Sequence, residues 1–194
     1  MLRVIALIAG FTMAALAGAA PIPKSMKKTA VDWIPFEVGN KWEYTSTLDT
    51  TGTIVDAREV TAVESKDGGL NVTQQLNGST QTYRKDDEGV AVTGMNKAKY
   101  KNPRFIIKPG MKEGDTWNWD AGGYIETRTV GKIETVTVPA GEFEAIPIKY
   151  EYVQNGAAFQ SGTVWYSSGV GLVKIDYEGY SYVLKNYTAG GKSK

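Results

Sequence analysis

Hydrophobic and polar residues alternate along most of the chain, and turn sequences rich in Gly, Asn and Asp interrupt the alternation about every 8–12 residues. Between the turns, Thr, Val, Tyr, Trp and Ile dominate, and almost no stretch has the periodicity of an amphipathic helix. This pattern is typical of an all-β sandwich or barrel. The predicted strands are 41–48, 54–64, 70–77, 80–85, 90–93, 104–107, 116–119, 124–138, 142–154, 158–167, 172–177 and 180–188.

Short turns connect most of these strands. Pairs such as Asn77-Gly78 supply the positive φ angles that tight hairpins need. Connections of this length join antiparallel neighbours, so the strands should follow one another as a meander. Residues 138–142 (VPAGE) also have turn chemistry, because Pro139 presets φ and Gly141 can adopt a left-handed conformation. The strands on either side of this turn should therefore pair directly.

Two places depart from the simple pattern. Pro147 interrupts the alternation at 146–152, and because proline cannot donate to a ladder, its strand should lie at a sheet edge or carry a bulge. Residues 94–103 (GMNKAKYKNP) are the least strand-like interior stretch, and they predict one or two helical turns in a crossover within the domain.

One aromatic phrase occurs twice, as GNKWEY at 39–44 and GDTWNW at 114–119. The two-residue period of a strand places Trp42 and Tyr44 on one face, and Trp117 and Trp119 likewise. The phrase can begin each half of a curved sheet, with halves starting near 39 and 114. Alternatively, Trp117 and Trp119 can form a platform for a sugar ring together with Trp165 and Tyr166. The structural interpretation is favoured, because alternating aromatics more often line a core.

Dense aromatic and β-branched residues at 172–187 complete the architectural prediction, since they suit a sheet that closes over its own concave face. The expected fold is all-β, a strongly curved antiparallel sheet forming an open or incomplete β-barrel, with little helix apart from a signal peptide.

The first 20 residues have the pattern of a secretory (Sec-type) signal peptide. Arg3 precedes an apolar run at 4–16, and the small residues that follow predict cleavage after Ala19 or Ala20. No second hydrophobic run is long enough to span a membrane. The chain has no Cys, and so no acceptor for a lipoprotein anchor. A periplasmic or secreted protein is expected.

The chain divides into a signal peptide at 1–20, a flexible lead-in at 21–32, a single β-domain at 33–188 and a disordered tail at 189–194. Removal of the first 20 residues takes away Arg3 and no acid, so the 22 basic residues become 21 against 21 acidic ones. A neutral chain does not offer the basic surface that a nucleic acid requires.

The residue types narrow the chemistry. Without His and Cys, the chain cannot form Ser-His-Asp or Cys-His catalytic groups or the usual zinc sites. The acidic run at 86–88 lacks the alternating spacing of calcium ligands and predicts a solvated hairpin tip. No enzyme is expected. A carboxylate-based hydrolase is the less favoured alternative, and no pattern selects its pair from Glu126, Asp120, Glu142 and Glu151.

Four stretches resemble phrases of a loosely defined set of exported bacterial β-proteins of unknown function: IPFEVGNKWEY, GDTWNW, TVPAGEFEAIPIKYEY and TVWYSSGVGLVKIDY. Some of these proteins have folds similar to the lipoprotein-localisation (Lol) carriers, in which an incomplete antiparallel barrel surrounds a hydrophobic concavity. The resemblance covers most of residues 33–185 and implies this fold, but it names no catalytic residue. Only residues 94–103 offer a counterpart of the helical lid of the Lol carriers.

We therefore expect a non-catalytic protein that binds or carries an apolar or amphiphilic ligand, such as a lipid, in the concavity of an open barrel. No cofactor or metal is expected. The alternative is an envelope interaction or assembly module, with an envelope protein as partner, whose barrel is filled by its own side chains. The residues expected to contact the ligand are Trp42, Tyr44, Trp117, Trp119, Tyr150, Tyr152, Trp165 and Tyr182.

Overall fold

A computed structural model describes residues 33–190. In this part of the chain, 13 strands form one antiparallel sheet. The strands are β1 (Lys41–Ser46), β2 (Ile54–Lys66), β3 (Gly69–Leu76), β4 (Ser79–Asp86), β5 (Gly89–Met95), β6 (Ala98–Ile107), β7 (Thr116–Asp120), β8 (Ile125–Val130), β9 (Glu134–Val138), β10 (Gly141–Gln154), β11 (Ala157–Ser167), β12 (Gly171–Tyr177) and β13 (Tyr180–Thr188). The predicted signal peptide, the lead-in and residues 191–194 lie outside the described residues. No helix within 33–190 is long and apolar enough to cross a membrane.

The sheet curls into a nearly closed barrel with one unsealed seam, which confirms the predicted fold class. Its strand order is β6-β5-β4-β3-β2-β1-β13-β12-β11-β10-β8-β7, with β9 beside β10. The edge strands β6 and β7 meet at the seam without forming a ladder. Two indole N–H groups of β7 bridge the seam instead: Trp117 Nε1 donates to the Phe105 carbonyl at 2.8 Å, and Trp119 Nε1 donates to the Asn102 carbonyl at 2.9 Å.

Most hairpins follow the predicted turn chemistry. Asn77 and Asn155 have positive φ angles of 39° and 52°, as their Asn-Gly turns require. The turn at 138–142 is also confirmed as a direct hairpin, because Val138 pairs with Gly141 between β9 and β10.

The prediction for residues 94–103 is wrong. The stretch contains the β5–β6 hairpin, with Asn96 in its turn at a φ of 54°. The strand lacks alternation because β6 is an edge strand at the seam, where Lys99 and Lys101 remain exposed.

The single long strand predicted at 124–138 is also wrong, and so is the expected place of Pro147. Strands β8 and β9 are separate, and both pair with β10, which is an interior strand. Pro147 faces the gap between them, where its missing N–H breaks no ladder, and the Gly131 N–H donates to its carbonyl at 2.8 Å. The break in pairing that Pro147 requires therefore lies between β8 and β9, and not in β10 itself.

A short segment closes one end of the barrel. Trp33, Ile34 and Phe36 precede β1 and are each less than 8% exposed. The Phe36 ring lies 5.1 Å from the ring of Tyr83, and Lys85 Nζ donates to the Ile34 carbonyl at 3.1 Å. We call this the plugged end. The opposite end carries the hairpin turns at 77–78, 96–97, 121–123, 155–156 and 178–179, and we call it the mouth.

Candidate functional site

The repeated aromatic phrase is a repeated structure. In the first copy, the Gly39 N–H donates to the Val60 carbonyl at 2.8 Å, and in the second, the Gly114 N–H donates to the Val130 carbonyl at 2.8 Å. Both glycines have a φ of 87°, a conformation that glycine adopts without steric cost. The same turn therefore begins β1 and β7 and ties each to the strand that follows it.

The repeat extends to the partner strands, which read DAREV at 56–60 and ETRTV at 126–130. In both copies, the first aromatic lies opposite an arginine and the second lies opposite a carboxylate. The pairs are Trp42 with Arg58, Tyr44 with Asp56, Trp117 with Arg128, and Trp119 with Glu126. Since β2 and β8 are six places apart in the strand order, the two Asp/Glu-x-Arg pairs project inward from opposite walls of the barrel.

These arginines line a cavity of about 450 Å³ inside the barrel. That volume lies within the roughly 300–1,000 Å³ range of small-molecule sites. Phe159 lines the cavity and is 54% exposed, so the cavity reaches the surface at the mouth. The lining side chains are Arg58, Leu76, Gln81, Tyr83, Val92, Arg104, Ile106, Tyr124, Arg128, Tyr150, Tyr152, Phe159, Gln160, Val164, Tyr166, Leu172, Ile175 and Tyr177.

On one wall of the cavity, a guanidinium is neutralised one to one. Asp56 Oδ2 accepts hydrogen bonds from Arg58 Nε at 2.8 Å and from Arg58 Nη2 at 2.6 Å. Burial opposes the charge on Arg58, but Tyr44 and Asp56 outweigh it, so the pKa of Arg58 is raised. This arginine keeps its charge at every physiological pH.

On the opposite wall, two guanidiniums share one carboxylate. Glu126 has a fully buried side chain, and its Oε2 accepts from Arg104 Nε at 2.5 Å while its Oε1 accepts from Arg128 Nε. Arg104 lies on β6, so this ion pair also crosses the seam. Burial opposes the charge on Arg104, but Glu126 and Tyr152 raise its pKa. Arg104 Nη2 donates to the Tyr152 hydroxyl at 2.6 Å.

Arg128 is the least satisfied group of the cavity. Its side chain is only 5% exposed, and it lies over the Tyr150 ring at 5.9 Å. Within residues 33–190, its Nη1 is one of three buried side-chain polar atoms without a hydrogen-bond partner; the others are Thr45 Oγ1 and Ser168 Oγ. Of these three, Arg128 alone lines the cavity.

Four phenols of the lining, those of Tyr83, Tyr150, Tyr152 and Tyr177, remain protonated over the physiological range. Burial raises the pKa of Tyr152 to about 12, and burial is also the main cause that raises the pKa of Tyr83, Tyr150 and Tyr177. The cavity therefore presents neutral hydroxyls and fixed guanidiniums beside apolar walls. It can hold a molecule that is partly apolar and partly polar.

Of the eight residues expected to contact a ligand, Tyr150 and Tyr152 line this cavity. Trp42 and Tyr44 lie nearer the plugged end, where each is at most 2% exposed. Trp42 Nε1 donates to the Val170 carbonyl at 2.6 Å, and the Tyr44 hydroxyl donates to the Leu172 carbonyl at 2.9 Å. Both anchor β1 to the 168–172 region.

The other four lie outside the lining. Trp117 and Trp119 bridge the seam. Trp165 Nε1 donates to Glu134 Oε1 at 2.6 Å, and Lys174 Nζ covers the Trp165 ring at 4.4 Å. Tyr182 packs against Tyr177, which does line the cavity, with ring centroids 5.8 Å apart. Ligand contact by these residues stays a prediction.

Sequence reasoning missed the three arginines. The sequence indicates for Glu126 only a candidate place in a hydrolase pair, whereas both of its oxygens form ion pairs in the structure. A signal was present: each aromatic phrase is followed, within one hairpin, by an acidic residue, any residue, Arg, any residue and Val. Among the described residues, no group of three His, Cys, Asp or Glu side chains is placed to hold a metal ion.

Comparison with known proteins extends the structural picture. A family model described as DUF3108-like matches residues 110–189, which is fewer than half of the chain. No curated protein matches.

Two solved structures resemble the whole domain. One, from Bacteroides fragilis, is of a protein thought to be exported with a YmcC-like fold: 16% identity, a TM-score of 0.50, and coverage of 81% of this chain and 99% of that one. The other, from Parabacteroides distasonis, is of a protein thought to be a lipoprotein: 18% identity, a TM-score of 0.46, and coverage of 80% and 98%. The chain is thus similar in fold to the Bacteroides fragilis protein.

Proposed function

We propose that the protein binds an amphiphilic small molecule, such as a lipid, inside the barrel and holds or carries it without chemical conversion. The observation that carries this proposal is the cavity of about 450 Å³, which opens at the mouth of a barrel whose other end is covered by the segment at 33–36. Such a one-ended cavity suits a molecule that enters chain or ring first.

The lining supports an amphiphile over a purely apolar ligand. Aliphatic side chains such as Leu76, Val164 and Ile175 provide surface for an apolar part. Tyrosine hydroxyls and guanidiniums lie among them, and a hydrocarbon would leave the Arg128 Nη1 donor desolvated and unpaired. A ligand with both characters satisfies the two kinds of surface together.

An extracytoplasmic site of action is part of the proposal. The signal-like first 20 residues and the fold shared with a protein thought to be exported support it. A periplasmic or secreted protein would meet lipids and other amphiphiles that membranes release.

A test uses probes with a dodecyl chain and a cavity-filling variant. Purified protein should bind a fluorescent dodecyl probe with saturation, and Leu76→Trp should weaken binding because the indole occupies the cavity. Ile133→Trp is the matched control, since Ile133 is 41% exposed and does not line the cavity. Absence of saturable binding by the wild type, or equal loss in both variants, would contradict the proposal. Native mass spectrometry of protein purified from the periplasm should show a lipid-sized ligand.

A second candidate is an interaction module that docks through its mouth. Six of the eight large hydrophobic side chains exposed in residues 33–190 lie around the mouth: Leu48, Ile54, Met95, Ile125, Phe159 and Tyr180. Such a rim can contact a membrane or an envelope protein. If the protein binds no probe but associates with vesicles or with an envelope fraction, this candidate replaces the first.

A further inference from the structure

We infer that the amphiphile carries an anionic group, and that Arg128 is the centre of the subsite that binds this group. The inference rests on the proposed function, and it names the class of ligand: a carboxylate or phosphate attached to an apolar chain.

The first argument is the unequal pairing of charges in the two halves of the barrel. Asp56 neutralises Arg58 one to one, whereas Glu126 is shared between Arg104 and Arg128. Three guanidiniums against two carboxylates leave one net positive charge in the lining. The two arginines can be compared directly within one protein, because Arg58 and Arg128 hold equivalent positions in their hairpins. The excess charge lies beside Glu126 in the second half, because Arg104 reaches this carboxylate from β6 across the seam.

The second argument is the unpartnered nitrogen. Arg128 Nη1 is buried within the lining and donates no hydrogen bond, although Nε of the same side chain is bound to Glu126. A buried donor without an acceptor is costly, more so on a charged group. An anionic oxygen at this nitrogen would satisfy the donor and neutralise the excess charge in one step.

The third argument is the set of neighbouring donors. Arg128 lies over the Tyr150 ring, and Tyr152 accepts from Arg104, so the Tyr152 hydroxyl proton is free to point toward the cavity. Burial raises the pKa of both phenols, which therefore remain neutral donors and not competing anions. Guanidinium and phenol donors converging in a cavity with apolar walls favour an anion with a hydrocarbon attachment over inorganic phosphate.

The test compares four probes with the same chain on the full-length protein: dodecanol, dodecanoate, dodecyl phosphate and dodecylamine. Affinities are measured by calorimetry below the micelle concentration, at a pH where the carboxylate is ionised. The two anions should bind roughly tenfold tighter than the alcohol or better, as a charge-assisted hydrogen bond gives, and the amine should bind most weakly. The tighter of the two anions distinguishes a fatty-acid type of ligand from a phosphorylated one.

Variants then locate the subsite. Arg128→Gln should lose roughly the tenfold preference for anions while keeping its affinity for dodecanol. Arg58→Gln is the matched control: it removes the same charge from the opposite wall, so a purely long-range effect would weaken anion binding equally in both. Equal losses would overturn the assignment to Arg128. Should Arg128→Gln fail to fold, the wild-type preference and its decrease with added salt still decide the class of ligand.

The two proposals fail in different ways. If dodecanol and the two anions bind with equal affinity, the inference of an anionic ligand is wrong, but the proposed binding function still holds. If no dodecyl probe binds, the proposed function falls and this inference falls with it.

Discussion

The shared carboxylate of Glu126 gives the sharpest prediction about stability, because its replacement by Gln removes one charge and almost no volume. The Glu126 side chain is fully buried and accepts from Arg104 and Arg128. A glutamine presents one carbonyl oxygen and one amide N–H₂ group, so one guanidinium would face a donor in place of an acceptor. Glu126→Gln therefore disrupts both ion pairs while the surrounding packing stays the same.

The expected loss follows from the burial of these groups. Removing one partner of a buried ion pair costs about 3–5 kcal/mol, since the remaining charge stays desolvated. For a domain of roughly 150–250 residues, each kcal/mol shifts Tm by about 2–4 °C, so the melting temperature should fall by roughly 6–20 °C. Arg128 adds to the cost because its Nη1 already has no partner.

The equivalent variant in the first half is the control. Asp56→Asn changes one charge at the corresponding position, but its ion pair has side chains 15–18% exposed and involves a single arginine. Water can compensate part of the lost ion pair, so we expect Asp56→Asn to lower the free energy of unfolding by only about 1–2 kcal/mol. Both variants are compared with the wild type by thermal and urea unfolding followed by circular dichroism. If Glu126→Gln is no less stable than Asp56→Asn, the shared buried carboxylate does not have the role assigned to it.

Three further predictions concern the packing, the seam and the phenols. Gly162→Ala should lower the free energy of unfolding by about 1–3 kcal/mol, because its new Cβ would lie 2.4 Å from the Tyr150 hydroxyl oxygen. The same clash should displace Tyr150 and weaken probe binding, and unchanged binding would contradict this. Trp119→Phe should speed amide hydrogen exchange in β6 by removing the bridge to the Asn102 carbonyl, whereas Trp165→Phe, which loses a hydrogen bond to Glu134 away from the seam, should not; equal exchange in β6 would show that this bridge does not hold the seam. The raised pKa of the buried Tyr152 phenol means that the unfolded chain ionises first, near the ordinary tyrosine value of 10.0, so the stability present below that pH should be lost as pH rises toward about 12; a Tyr152 phenol that titrates normally in the folded protein by ultraviolet absorbance would refute this.

The strand order explains why the two copies of one phrase have different roles. Trp42 is interior to the sheet, so its indole packs in the core and anchors β1 across the barrel to Val170. Trp117, its counterpart in the second copy, follows an equivalent turn but lies on an edge strand, so its indole donates to the Phe105 carbonyl of the other edge. The local sequence is the same, and the difference comes from the strand order.

Local chemistry was enough to predict a large part of this protein. Alternation and turn residues predicted the antiparallel meander, because a strand has a two-residue period and an Asn-Gly turn favours a tight hairpin. The duplicated aromatic phrase predicts two halves, and the structure has the same turn geometry at Gly39 and Gly114. These features depend on neighbours in the chain, which a sequence displays directly.

Everything that depends on closure of the sheet was decided in three dimensions. The seam permits a strand at 98–107 that lacks alternation. The place of Pro147 depends on the break between β8 and β9, and the sequence does not show that these strands are its neighbours. The cavity likewise joins Arg104 to Glu126 across 22 residues and an unpaired edge. A charge is buried or solvated according to which strands meet around it, so only the tertiary structure distinguishes Arg128, with its unpartnered Nη1, from an ordinary arginine on a strand.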